Sequence, residues 1–87
     1  MGDFFDVRKS GESIEQRLKA LEQENVVIHF NCPKCDDEQV TYEESASDIL
    51  STLNAYNYLV LGYECTNCGK MIKTLEKDYI FGVEKDS

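Results

Sequence analysis

Val26-Val27-Ile28-His29-Phe30-Asn31-Cys32-Pro33-Lys34-Cys35 and, after the 29 intervening residues Asp36 to Glu64, Cys65-Thr66-Asn67-Cys68-Gly69-Lys70 decide how this chain folds. Each Cys-x-x-Cys stands between two strand-like runs. In that setting the pair forms a tight turn whose two sulfurs project to the same side. Two such turns brought together make a tetrahedral four-sulfur site of the kind zinc prefers, with Zn–S near 2.3 Å. The residue after the second cysteine of such a turn needs a left-handed backbone. Gly69 supplies it without a steric cost, and Asp36 is among the few side chains that tolerate it. Pro33 fixes φ inside the first turn. Backbone N–H groups in the turns, with Lys34 and Lys70 nearby, offset the charge on the sulfurs. The expectation is one structural zinc ion held by Cys32, Cys35, Cys65 and Cys68.

Length makes such a staple useful. A chain of 87 residues is one small domain, and at that size a core alone is marginal without a metal, disulfides or a partner. The N-terminus, Met1-Gly2-Asp3-Phe4-Phe5-Asp6-Val7-Arg8-Lys9, has no apolar run of signal-peptide length. No stretch approaches the ~20 apolar residues of a membrane span. These features predict an intracellular protein of cytoplasm or nucleus, where paired Cys-x-x-Cys motifs hold metal more often than they form disulfides.

The net charge is −8, and the imbalance is local. Residues 32–64 carry seven acids and one base, whereas 1–31 carry six and four, and 65–87 four of each. Four thiolates around a dication add a further −2. An acidic middle opposes a phosphate backbone and suits a basic protein surface.

Working outward, Ser13 with Gln16 forms a capping-box pattern. Ile14, Leu18 and Leu21 then recur on one face, which predicts an amphipathic helix ending near Asn25. Val26–Phe30, Glu38–Glu43, Tyr58–Glu64 and Lys70–Leu75 read as strands, and Ser45–Tyr56 as a short helix. The fold class predicted is α+β: an antiparallel sheet of three to four strands, an N-terminal helix, and a short helix between the two cysteine pairs. The chain divides into an arm and helix (1–25), the metal-bearing domain (26–77) and a tail (78–87).

A thiol oxidoreductase is the sharpest rival, because a strand running into Cys-Pro-x-Cys resembles the start of a glutaredoxin. That chemistry needs a helix N-terminus directly after the first cysteine to lower the thiol pKa. Asp36-Asp37-Glu38-Gln39-Val40 is acidic and then strand-like instead. The fold also needs a second proline, and Pro33 is the sole proline.

At Cys32-Pro33-Lys34-Cys35 and Tyr63-Glu64-Cys65-Thr66-Asn67-Cys68-Gly69-Lys70 the sequence resembles the C-terminal zinc ribbon of transcript-cleavage elongation factors and related RNA polymerase subunits. In that family a CPxC turn opens the ribbon, an acidic hairpin follows, and an aromatic-x-C-x-N-C-G segment closes it. The resemblance spans roughly residues 26–75. It implies a zinc-ribbon fold and a partner such as RNA polymerase. The family's cleavage activity uses an adjacent Asp-Glu pair at the hairpin tip. This chain has Glu43-Glu44 and Asp48 there, and Met71 where the family favours an aromatic, so the cleavage role does not carry over.

The remaining features point away from catalysis. Four cysteines complete a closed site without His29, the five glycines are scattered, and no nucleophile has a base near it in sequence. The function expected is a non-catalytic, acidic zinc-ribbon module for protein–protein interaction or transcription regulation. Its candidate partner-binding residues are Ile14, Leu18 and Leu21 on the helix, a stripe that reads first as packing within the monomer, and Glu43, Glu44 and Asp48 in the acidic segment, which read first as a solvated face. Tyr42, Tyr56, Tyr58 and Tyr63 read as core or rim packing. Two alternatives stay open: a rubredoxin-like iron electron carrier, and a nucleic-acid-binding ribbon using Lys70, Lys73 and Lys77.

Overall fold

A computed structural model describes residues 4–85; Met1–Asp3 at one end and Asp86 and Ser87 at the other lie outside the described residues. In chain order the elements are β1 (Phe4–Asp6), α1 (Val7–Ser10), α2 (Ile14–Ala20), β2 (Asn25–Asn31), β3 (Glu38–Val40), β4 (Glu44–Ser45), α3 (Ala46–Tyr56), β5 (Tyr58–Glu64), β6 (Met71–Glu76), a single 3-10 turn at Lys77–Tyr79, and β7 (Ile80–Lys85). The α+β class is as expected, with every strand pairing antiparallel.

The strands form two sheets. Five belong to one sheet, in the order β1-β7-β2-β3, with β4 pairing β2 beyond the end of β3; β5 and β6 form a separate hairpin. The expected sheet of three to four strands is thus split between two. One cysteine pair joins β2 to β3 and the other joins β5 to β6, so each sheet contributes half of the sulfur cluster.

The capping box at Ser13 forms as its sequence predicts. Ser13 Oγ accepts from the Gln16 N–H at 3.2 Å, and Gln16 Oε1 accepts from the Ser13 N–H at 3.0 Å. The helix stops at Ala20, short of Asn25. The Leu21 N–H turns back to the carbonyls of Arg17 and Leu18, and the Glu24 N–H reaches Leu21, tightening the chain into β2. Between the cysteine pairs, α3 occupies the predicted stretch and closes on Asn57 in the left-handed region at φ 64°. β2 alternates cleanly: Val26, Ile28 and Phe30 are buried, and the residues between them are half-covered.

Three expectations need correction. The Ile14–Leu18 stripe is not an exposed docking face, since α2 packs on α3 and β7 with both side chains buried and Leu21 half-buried against the same core. Apolar area at helical spacing is used inside the monomer first. In the arm, Phe4–Asp6 forms an edge strand on β7, with Phe5 opposite Val83. In the tail, Ile80–Lys85 is an interior strand between β1 and β2.

Gly82 makes that last pairing possible. A Cβ there would lie 2.7 Å from the Phe4 ring and 2.9 Å from the Phe5 carbonyl oxygen. Gly82→Ala is therefore expected to lift β1 off the sheet and destabilise the fold by about 1–3 kcal/mol, as overpacking does. Urea unfolding of the two proteins side by side checks it, and an unchanged midpoint would show that β1 yields freely.

Candidate metal centre

The two cysteine turns share one hydrogen-bond pattern. In the first, the Cys32 N–H donates to Asp37 O at 2.9 Å and the Asp36 N–H to Cys32 O at 2.9 Å. In the second, the Cys65 N–H donates to Lys70 O at 2.9 Å and the Gly69 N–H to Cys65 O at 3.0 Å. Asp36 and Gly69 occupy equivalent left-handed positions, at φ 64° and 76°, as the residue after a knuckle's second cysteine requires.

The four sulfurs lie within 4.8 Å of one another, and they are positioned to bind one metal ion. Cys32 and Cys68 are 3.7 Å apart, and so are Cys35 and Cys65. Thiolates at the corners of a tetrahedron with arms near 2.3 Å would be about 3.8 Å apart. These two sulfur pairs thus already have the spacing of a zinc site, and each is drawn from both knuckles. The first cysteine of each knuckle is buried and the second is half-buried at the rim.

Backbone and amide donors are aimed at the sulfurs. The N–H groups of Asn67 and Cys68 reach Cys65 Sγ at 3.4 and 3.5 Å. Burial acts against ionisation of Cys32 and is its largest single influence. The N–H groups of Cys35 and Lys34 and the neighbouring sulfurs together outweigh it, bringing the thiol from its ordinary 9.0 to about 6. Cys35 is also lowered, first by the Asn67 side-chain amide reaching across from the other knuckle and then by the Asp37 N–H. At Cys68 the Lys70 N–H favours the thiolate, but burial and the three other sulfurs push the group up to about 11. Four sulfurs this close cannot all be anionic without a cation among them.

A pH dependence follows from those directions. Near pH 7 Cys32 is largely a thiolate and Cys68 holds its proton, so metal binding must expel at least that proton. Apparent affinity is expected to fall at least tenfold for each unit the pH drops between 8 and 7. Competition against a chromophoric chelator at the two pH values checks it; equal affinities would mean that no proton leaves.

Gln39 joins the halves and is the residue that sequence reasoning missed. It is a buried polar side chain at 3% exposure. Its Oε1 accepts from the Tyr63 hydroxyl at 3.1 Å, the Thr66 N–H at 3.2 Å and the Thr66 hydroxyl at 2.9 Å, while its Nε2 donates to Asp37 Oδ2 at 2.7 Å. One amide thus fixes the second knuckle against the strand leaving the first. Alternation along β3 gave the opposite signal, because it would bury Val40, which is exposed. Gln39→Leu keeps the volume and removes all four bonds. It is expected to weaken metal binding about 10–100-fold, as loss of an outer partner does, and the same competition assay measures it.

The other candidate residues lie elsewhere. His29 is not in the sulfur cluster; its Nε2 is 2.9 Å from Glu84 Oε1, and its ring stands edge-on to Phe4 at 4.6 Å. Glu43, Glu44 and Asp48 are exposed, with Glu43 accepting from Asn25 Nδ2 at 2.8 Å. Tyr63 is half-buried against Phe30 at 5.6 Å, whereas Tyr42 and Tyr56 are exposed at the rim, with ring centroids 5.8 Å from Tyr63 and 5.7 Å from Tyr58 respectively. Lys77 pairs with Glu15 at 2.9 Å, while Lys70 and Lys73 are exposed. No helix among the described residues is long and apolar enough to cross a membrane. Comparison with protein-family models, with curated proteins and with solved structures gives no significant match to this chain.

Proposed function

We propose that Cys32, Cys35, Cys65 and Cys68 hold a single structural zinc ion in a ribbon-like centre. The chain then works as a small, non-catalytic interaction module inside the cell. Its acidic middle segment docks on a basic protein surface of the kind that RNA polymerase and other nucleic-acid enzymes present, and regulates that partner. The observation that carries this reading is closure. Two knuckles supply four sulfurs to one point, which fills every position of a tetrahedral ion and leaves none for substrate. The exposed carboxylates of Glu43, Glu44 and Asp48 support the choice of a basic partner, and the resemblance to polymerase ribbons supports its class.

Two measurements test it. Elemental analysis of the purified protein should give one zinc per chain and a colourless solution; a red sample with iron would replace the structural reading with electron transfer. Immobilised protein should then retain purified RNA polymerase at low salt and release it at high salt, because rim charges are screened. Failure to retain it at either salt would remove polymerase as the partner.

A further inference from the structure

A second site lies away from the sulfurs. β5 is paired on one edge, by β6, and among the described residues no strand pairs with its other edge. A groove of about 90 Å³ borders this strand, with Tyr42, Glu44, Ile49, Val60, Leu61 and Tyr63 among its walls. All five residues from Leu59 to Tyr63 touch it. No residue of β6 lines the groove, whereas Thr41, Tyr42 and Glu44 from the stretch before α3 do, so it lies beside β5 on the side away from β6.

The same stretch is irregular and apolar. Val60 pairs with Thr74 and Tyr63 with Ile72, so β5 holds one extra residue at Leu61–Gly62. Bulges of this kind re-aim side chains and gather near functional sites. Val60 is 70% exposed and Tyr42 is 73% exposed, an apolar rim that water covers poorly. The one charged wall residue, Glu44, is acidic. Glu43 and Asp48 flank the wall residues in sequence, and Lys34 is the sole base between residues 32 and 64.

We infer that the open edge of β5 receives an extended, basic segment of a partner protein. The segment adds a strand to the β5–β6 hairpin, as edge-strand recognition does. It seats one aliphatic side chain in the groove and sets lysine or arginine against Glu44 and its acidic neighbours. A cavity of about 150 Å³ takes benzene, so one of about 90 Å³ suits a smaller branched side chain. A second copy of this chain is a poor occupant, because each copy carries a net charge of −8 and the same carboxylates would meet. The inference rests on the interaction-module reading and gives that module its binding face.

The test is an anisotropy titration of the zinc-loaded full chain into a fluorescein-labelled peptide, Arg-Val-Lys-Ile-Arg-Val-Lys. Two control peptides carry serine for its aliphatic residues or glutamate for its basic ones. The basic alternating peptide should bind, and both controls should be at least tenfold weaker. Val60→Lys, at an exposed position, should cost at least tenfold. Met71→Lys, half-exposed on β6 and outside the groove, should change affinity less than twofold. Amide exchange from Val60 to Tyr63 should slow in the complex. Equal losses at Val60 and Met71, or binding indifferent to peptide charge, would overturn the inference. So would a dimer in sedimentation that Val60→Lys dissolves, since a second copy would then fill the groove. Polymerase retention that survives Val60→Lys would also overturn the groove while leaving the module reading intact.

Discussion

Stripping the metal is expected to unfold this protein. Structural zinc supplies about 10 kcal/mol or more of folding free energy near neutral pH, and an ordinary domain has only about 5–15 kcal/mol in total. The centre would also clamp the two sheets together, since Cys32 and Cys35 belong to the β2–β3 connection and Cys65 and Cys68 to the β5–β6 turn. Excess chelator at pH 7.5 should abolish the near-ultraviolet tyrosine dichroism, and stoichiometric zinc should restore it. Cys65→Ser should show the chelated spectrum even with zinc present at micromolar concentration, because it replaces a buried thiolate corner of the tetrahedron with a neutral hydroxyl that binds zinc poorly. A chelated protein that kept a cooperative transition at the same urea concentration would show that the core stands without the ion.

Phe30→Ala is expected to cost about 3–5 kcal/mol, the usual range for emptying a fully buried aromatic site. Phe30 is wholly buried, lies two residues before Cys32, and meets the Tyr63 ring edge-on at 5.6 Å. It therefore packs the first sheet against the hairpin close to the metal. With zinc bound the variant should still fold but melt earlier. For a domain of this size each kcal/mol corresponds to about 4–8 °C, so the fall should exceed about 12 °C in calorimetry. A shift of only a few degrees would mean that the cavity collapses without loss.

The metal centre was legible because its causes are local. Left-handed backbone after each knuckle is written into Asp36 and Gly69, and the capping box into Ser13 and Gln16; each needs only neighbours a few residues away. β7 was not legible as a strand. Ile80, Phe81, Gly82 and Val83 are all buried, so the two-residue alternation that marks a half-exposed strand is absent. Gly82 reads as a breaker in the sequence, and its value depends on Phe4 lying over it. β1 was hidden for a related reason, since Phe4 pairs with Glu84 from the far end of the chain. Gln39 escaped because its partners, Tyr63 and Thr66, lie on the other hairpin.

The position of β7 also ties the two ends of the described chain to one another. The β2–β3 and β5–β6 hairpins carry both knuckles without any residue of β7, but the contacts of β1 require Ile80–Lys85, which lie between β1 and β2. Loosening β7 alone would therefore leave the sulfurs gathered while Phe4, Phe5 and the face of α2 that rests on β7 lose the surface that covers them. Fraying of that one strand would open an apolar seam in a molecule whose knuckles are still closed.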